Sequence, residues 1–233
     1  MNTPTNLALF DLDHTLLPLD SDYQWAEFLA RTGRAGDPEE ARRKNEDLMD
    51  RYNQGNLTAE ESAEFMLGLL SNTPRQELLT WQAEFMEEVI LPSIKPAAVD
   101  LVRYHQQQGH LCAIVTATNE FVTTPIAKAL GIEHLIATLA EERDGIYTGK
   151  LTGVPSFREG KITRVDQWLH ELGLQRNNFD RIWFYSDSSN DLPLMELVSD
   201  PVATNPGDSL RRTATERDWA VLDLFAQLMD EKS

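Results

Sequence analysis

Four short runs hold the residues with the clearest chemical use. The first is Asp11-Leu12-Asp13-His14-Thr15. In an extended chain residues two apart point to one side, so Asp11 and Asp13 can face a common site. Adjacent carboxylates repel, and a cation, a shared proton or divergence of the side chains must relieve the repulsion. D-x-D also occurs in solvated turns and calcium loops, so by itself this run leaves the chemistry open. In the second run, LCAIVTATN, Thr116 offers a hydroxyl beside the free backbone N–H groups expected at a helix start, an arrangement suited to a phosphate oxygen. The third, Gly160-Lys161, sets an ammonium at a helix beginning, where the macrodipole makes a lysine less comfortable than elsewhere. In the fourth, Asp187 and Asp191 flank Ser188-Ser189-Asn190. Carboxylates there suit Mg2+, a hard cation that takes a few carboxylates and keeps waters.

These runs sit where a repeated grammar of elements puts them. Apolar stretches LALFDL (7–12), LCAIVTATN (111–119), RIWFYSDSSND (181–191) and PVATNPGD (201–208) each end in polar residues, as buried strands with chemistry at their carboxyl ends do. Helical patterns at 98–108, 121–130 and 161–173 separate them, closed by Gly109, Gly131 and Gly173. The expectation is an α/β fold: a three-layer, doubly wound parallel sheet with ligands bound at the strand carboxyl ends. A further stretch, 141–151, alternates around a glycine and reads as a small β-hairpin. Residues 19–92 break the pattern, with helical segments at 25–32, 38–55, 58–70 and 74–90 and no apolar strand. Pro38 and Pro74 stand near helix starts, Gly55 near a stop, and Thr58 to Glu61 has capping-box spacing. The division predicted is a core of residues 1–18 and 93–233 with a helical cap inserted at 19–92.

The 233 residues, 41% hydrophobic, suffice for such a core and rule out disorder over most of the length. A formal net charge of −17 gives no basic footprint for a nucleic acid or an anionic membrane surface. It also poses a problem for any anionic ligand, unless a cation intervenes at the site. Sixteen acidic and seven basic residues between 20 and 90 put much of the excess in the helical insert. No apolar run approaches the roughly 18 to 20 residues of a membrane span, and MNTPTN lacks the regions of a signal peptide, so a cytoplasmic location is expected. Cys112, in the apolar run LCAIV, reads as an inert core residue. Trp25, Phe28, Phe65, Trp81 and Phe85 recur at helical spacing and read as core before any stacking platform.

Taken in order, the four runs resemble the motifs of the haloacid dehalogenase-like superfamily: Asp11, Asp13 and Thr15 as D-x-D-x-T, then Thr116, Lys161, and the pair Asp187 and Asp191. The helical insert after the first motif, the run Ser186-Asp187-Ser188-Ser189-Asn190-Asp191 and the tail VATNPGDSL through WAVLDL are similar to the phosphoserine-phosphatase-like branch. The resemblance implies a Mg2+-dependent phosphatase acting on a small phosphorylated metabolite. Asp11 is then the nucleophile that becomes an aspartyl-phosphate, and Asp13 the acid for the leaving alcohol and the base for water. It implies a metal held by Asp11, the Asp13 carbonyl and Asp187, with Asp191 behind it orienting Lys161 and metal-bound water. Thr116, the Ala117 N–H, Lys161 and Asn190 then contact phosphate. Dehalogenases of the superfamily lack an acid at the position of Asp13, which favours monoester hydrolysis.

Phosphoserine phosphatases carry a Glu nine residues after the nucleophile and a cap Arg that together read serine. Here Asp20 takes the first place with Asp22 nearby, and Glu64-Phe65-Met66-Leu67 offers no Arg; Arg51 would have to serve from another helix. Asp20 and Asp22 either hold an amine, favouring an amino-alcohol phosphate such as histidinol phosphate over phosphoserine, or cap the helix ahead of Tyr23-Gln24-Trp25. A phosphoacceptor signalling module and a binding-only protein are the alternatives to an enzyme. Signalling receivers are much shorter and lack both the D-x-D-x-T strand end and a cap. An acidic insert is compatible with a monomer.

Overall fold

The computed structural model describes residues 5–53 and 58–226. The elements run β1 (Asn6–Phe10), α1 (Ser21–Arg31), α2 (Pro38–Asn53), α3 (Ala59–Gly68) and α4 (Arg75–Phe85), then a π-helical stretch Met86–Ile90 and α5 (Leu91–Ser93). They continue with α6 (Pro96–Gln107), β2 (Leu111–Asn119), α7 (Glu120–Ala129), β3 (His134–Arg143), β4 (Ile146–Thr152) and α8 (Glu159–Glu171). Last come β5 (Arg181–Ser186), α9 (Leu192–Met195), β6 (Asp200–Thr204), α10 (Asp208–Glu216) and β7 (Ala220–Leu222).

The strands form one seven-stranded sheet in the order β4-β3-β2-β1-β5-β6-β7, parallel at every pairing except β3 with β4. This is the doubly wound α/β sheet expected from the alternating pattern. Side chains of β1 alternate between two apolar layers: Leu7 and Leu9 pack with Val165 and Leu169 of α8, Leu194 and Met195 of α9, and Leu210 of α10. Ala8 and Phe10 face the layer built by Ala98 and Val102 of α6, Ile126 of α7, and residues of the helical insert. A strand buried on both faces reads as a continuous apolar run, which is why LALF could be read as one.

The structure departs from the pattern at three places. The hairpin at 141–151 is the tip of a larger one, because β3 begins at His134 and lies parallel to β2 before turning into β4. Ala and Glu in HLIATLAEER are poor strand formers, and pairing with β2 overrides that preference. The helix after β2 starts at Glu120 with the Asn119 side chain accepting from Val122 N–H at 3.1 Å, so Thr116 lies within the strand and away from any helix start. The segment predicted as one helix over 74–90 is α4 followed by the π-helical stretch.

Four helices, α1 to α4, do lie between β1 and the first crossover, and the Thr58–Glu61 capping box is formed. Gly55 falls outside the described residues. Trp25 and Phe28 of α1 pack with Phe85, and Trp25 also meets Phe121 of α7, with ring centroids 5.2 to 5.9 Å apart. These aromatic side chains are core, as their spacing suggested; Trp81 is partly buried against the same layer. Cys112 is buried, and burial pushes its thiol up to about 12. Among the described residues no helix is long and apolar enough to cross a membrane.

Candidate active site

The carboxyl ends of β1, β2 and β5 converge with the start of α8. Asp11 follows β1 directly, and its N–H still bonds Tyr185 O on β5 at 2.9 Å. The chain then hooks: Leu12 O accepts from the N–H groups of Thr15, Leu16 and Leu17, and His14 takes a left-handed conformation at φ 56°. Asn205, after β6, donates to His14 O at 2.9 Å and ties the hook to the far side of the sheet. Asp11 and Asp13 therefore stand at the entry to a turn rather than along one strand, and each finds its own partners.

Around Asp11 the partners are cationic and acidic. Lys161 Nζ donates to Asp11 Oδ1 at 2.8 Å and to Asp191 Oδ2 at 2.7 Å, and the lysine is 2% exposed. Ser186 Oγ donates to the same oxygen of Asp191 at 2.7 Å. The Thr15 hydroxyl lies 3.3 Å from Asp11 Oδ2 and 3.3 Å from Asp187 Oδ1, and accepts from Asp187 N–H at 3.0 Å. One hydroxyl proton cannot serve both carboxylates. Gly160 makes the placement of Lys161 possible: a Cβ there would stand 2.1 Å from Pro155 O, so only glycine lets α8 begin against that carbonyl.

Around Asp13 the partners are neutral. Ser21 N–H donates to Asp13 Oδ1 at 2.7 Å and Thr118 Oγ1 to Asp13 Oδ2 at 2.8 Å. Asp20 accepts from Tyr23 N–H at 2.7 Å as the N-cap of α1. Asp22 accepts from Asn119 Nδ2 at 3.1 Å. The sequence left capping and ligand binding as alternatives for this pair, and the structure separates them: Asp20 caps, whereas Asp22 turns toward the end of β2. Arg51 is held by Glu61 at 2.7 Å, between α2 and α3.

The electrostatics follow from burial. Desolvation pushes the Asp11 carboxyl up to about 7, with Lys161 pulling down and Asp191 and Asp13 pushing up. Burial and then Asp20 raise Asp13 to about 6, against hydrogen bonds from Ser21 and Thr118. Burial holds Asp22 and Asp187 well above the carboxylate range, each reinforced by neighbouring acids, and Asp20 is raised too. For Lys161 burial opposes the charge, but Asp11 and Asp191 outweigh it and hold the ammonium above its ordinary pKa. Six acids facing one lysine make a site that attracts cations.

Thr116, 1% exposed, accepts from Thr118 N–H at 3.2 Å, and Ala117 between them is exposed. Asn190 accepts from Arg158 Nε at 3.1 Å. Among the described residues no three His, Cys, Asp or Glu side chains are arranged as a metal cluster. A set of two carboxylates and a main-chain carbonyl needs no third acid. Asp11 and Asp187, hard oxygen donors meeting at a single hydroxyl, have the donor chemistry of such a set.

Thr118, Asn119 and Ser186 carry no role in the sequence reading, although all three lie at the strand ends it singled out. The signal available was their neighbourhood: each is a hydroxyl or amide within three residues of a motif position.

A family model described as haloacid dehalogenase-like hydrolase matches residues 8–196. The chain is 43% identical over 219 residues to a protein named histidinol-phosphatase from Neisseria meningitidis serogroup C (strain 8013), covering 94% of this chain and 98% of that one. A solved structure of a protein of unknown function from Bordetella pertussis Tohama I is 63% identical, with a TM-score of 0.93 over 96% of this chain and all of that one. A substrate-bound phosphoserine phosphatase complex shares the fold at 18% identity, with a TM-score of 0.66 over 96% of this chain and 94% of that one.

Proposed function

Because this chain belongs to the haloacid dehalogenase-like hydrolases and is a phosphoric monoester hydrolase, we propose that it cleaves the phosphate monoester of a small amino alcohol, histidinol phosphate first. The observation that carries this substrate reading is the group Asp13, Asp20 and Asp22. All three acids are raised by burial and mutual repulsion, and their hydrogen bonds come from neutral N–H and O–H donors. A leaving alcohol bearing an ammonium or imidazolium would bring the missing positive charge. The carboxylate of phosphoserine would meet repulsion there. Phosphatase relatives favour hydrolysis over the phosphoacceptor-signalling and binding-only readings.

Asp11, Asp187 and the Asp13 carbonyl would hold Mg2+, with Asp191 behind Lys161 adding charge. When bound, the ion neutralises the repulsion between nucleophile and phosphate dianion. An Asp11 oxygen attacks phosphorus, forming an O–P bond as the bond from phosphorus to the alcohol oxygen breaks. Protonated Asp13 gives its proton to that oxygen. As a carboxylate it then takes a proton from water, whose oxygen displaces Asp11 and releases inorganic phosphate. Lys161, the Thr116 hydroxyl, the Ala117 N–H and Asn190 would hold the phosphate oxygens through the transition state. The Thr116 bond to Thr118 N–H uses the oxygen and keeps the hydroxyl proton for donation.

The test is phosphate release from L-histidinol phosphate, O-phospho-L-serine and p-nitrophenyl phosphate, with Mg2+ or with EDTA. Histidinol phosphate should exceed phosphoserine in kcat/KM by roughly tenfold or more, an ion-pair-sized difference, and EDTA should stop all three. A preference for phosphoserine would overturn the substrate reading; full activity in EDTA would overturn the metal.

A further inference from the structure

We propose that Thr118 is a positioning residue for the leaving-group acid: its hydroxyl fixes the Asp13 carboxyl where the alcohol departs. The inference rests on the phosphatase reading above and deepens it.

A carboxyl on a single methylene turns freely unless something holds it. Proton transfer needs the acid within about 2.6 to 3.2 Å of its acceptor, and a misplacement of about 1 Å can cost on the order of 100-fold. Both oxygens of Asp13 are held, one at 2.7 Å by Ser21 N–H and the other at 2.8 Å by the Thr118 hydroxyl. The first donor is main chain and comes with α1. The second depends on a side chain.

Thr118 is itself fixed. It is 4% exposed, its N–H bonds Thr116 Oγ1, and the register of β2 against β3 shifts between Val115 and Asn119. Irregularities of this kind re-aim side chains at strand ends. Thr116 and Thr118, both buried on either side of exposed Ala117, divide the site: one is free to serve phosphate, the other is committed to the acid. Asp22 is held by the next residue of β2, Asn119, at 3.1 Å, so the carboxylate proposed to grip the alcohol and the acid that protonates it are both tied to the end of one strand.

The experiment exploits the leaving group. Histidinol phosphate and glycerol 2-phosphate release alkoxides that need a proton, whereas p-nitrophenolate departs without one. Through kcat/KM, which reports the steps up to P–O cleavage, Thr118→Val should lose on the order of 10- to 100-fold on both alkyl esters and less than about 3-fold on p-nitrophenyl phosphate. Thr118→Ser should restore the alkyl esters to within about 3-fold of wild type, since it returns the hydroxyl. Equal losses on alkyl and aryl esters, no loss with valine, or no rescue by serine would each overturn the proposal. If thermal melting shows Thr118→Val unfolded, Thr118→Ala carries the same comparison. A wild-type protein inactive on every ester overturns the phosphatase reading and this inference with it; an active wild type with leaving-group-independent variants overturns this inference alone.

Discussion

The acids gathered around the strand ends and the start of α1 form two groups that differ in one respect. Asp11, Asp187 and Asp191 surround Lys161, whose ammonium bonds two of them. Asp13, Asp20 and Asp22 rely on main-chain N–H groups, a threonine hydroxyl and an amide. Burial raises acids in both groups, so the difference lies in how the charge is offset: internally in the first, from outside in the second. On the function proposed above, the lysine side would take phosphate and its metal, common to every ester, and the neutral side the leaving alcohol, where esters differ. An acidic protein would then take an anion at one end of a site and a cation at the other.

Substitutions at the lysine side should hurt all esters alike. Asp11→Asn should abolish turnover, by more than about 10,000-fold, with an unchanged circular-dichroism spectrum; retained turnover would remove the nucleophile. Lys161→Met should lower kcat by roughly 100- to 1,000-fold on alkyl and aryl esters together. It should also melt well below wild type, because two buried carboxylates lose their cation, a loss of about 3 to 5 kcal/mol for breaking such a pair. Gly160→Ala should push α8 off the Pro155 carbonyl and cost about 1 to 3 kcal/mol of stability, read as a lower Tm together with reduced kcat.

At the neutral side the effects should be smaller and selective. Asp22→Asn should raise KM for histidinol phosphate about tenfold, roughly 1.4 kcal/mol, while leaving p-nitrophenyl phosphate within about 3-fold. Equal effects on both esters would erase the distinction between the two groups.

The mildest test is pH. Burial pushes Asp11 up to about 7 and Asp13 up to about 6 from an ordinary 3.8, so between about pH 4 and 7 these two carboxyls bind more protons folded than unfolded. Their contribution to the stability of the metal-free protein should therefore fall as pH rises through that window. Mg2+ should raise Tm more at pH 8 than at pH 5; at 100 times its Kd the ion contributes about 2.7 kcal/mol. An equal shift at both pH values would detach the metal from these acids.

Much of this was legible in the residues. Buried parallel strands announce themselves as apolar runs ending in polar residues, which singled out Asp11, Asp13, Thr116, Asp187 and Asp191; Lys161 stood out at a helix start after a glycine, and the family resemblance joined the six before any contact was known. β3 escaped because its stability comes from pairing with β2 and β4, which its own composition does not advertise. Thr118 escaped because a threonine beside a motif threonine carries no distinguishing mark.

The order of the four motifs, the helical insertion and the excess of acid were determined by the sequence alone, since local pattern and charge need no partner to be read. Which acid meets which donor was decided by the tertiary structure. Lys161 reaches Asp11 across 150 residues and Thr118 reaches Asp13 across 105, distances closed by the packing of α8 against β1 and by the pairing of β1 with β2. The same packing made Asp20 a helix cap and set Asp22 against Asn119, because α1 begins beside the end of β2 and only one of the two carboxylates lies over its own helix terminus.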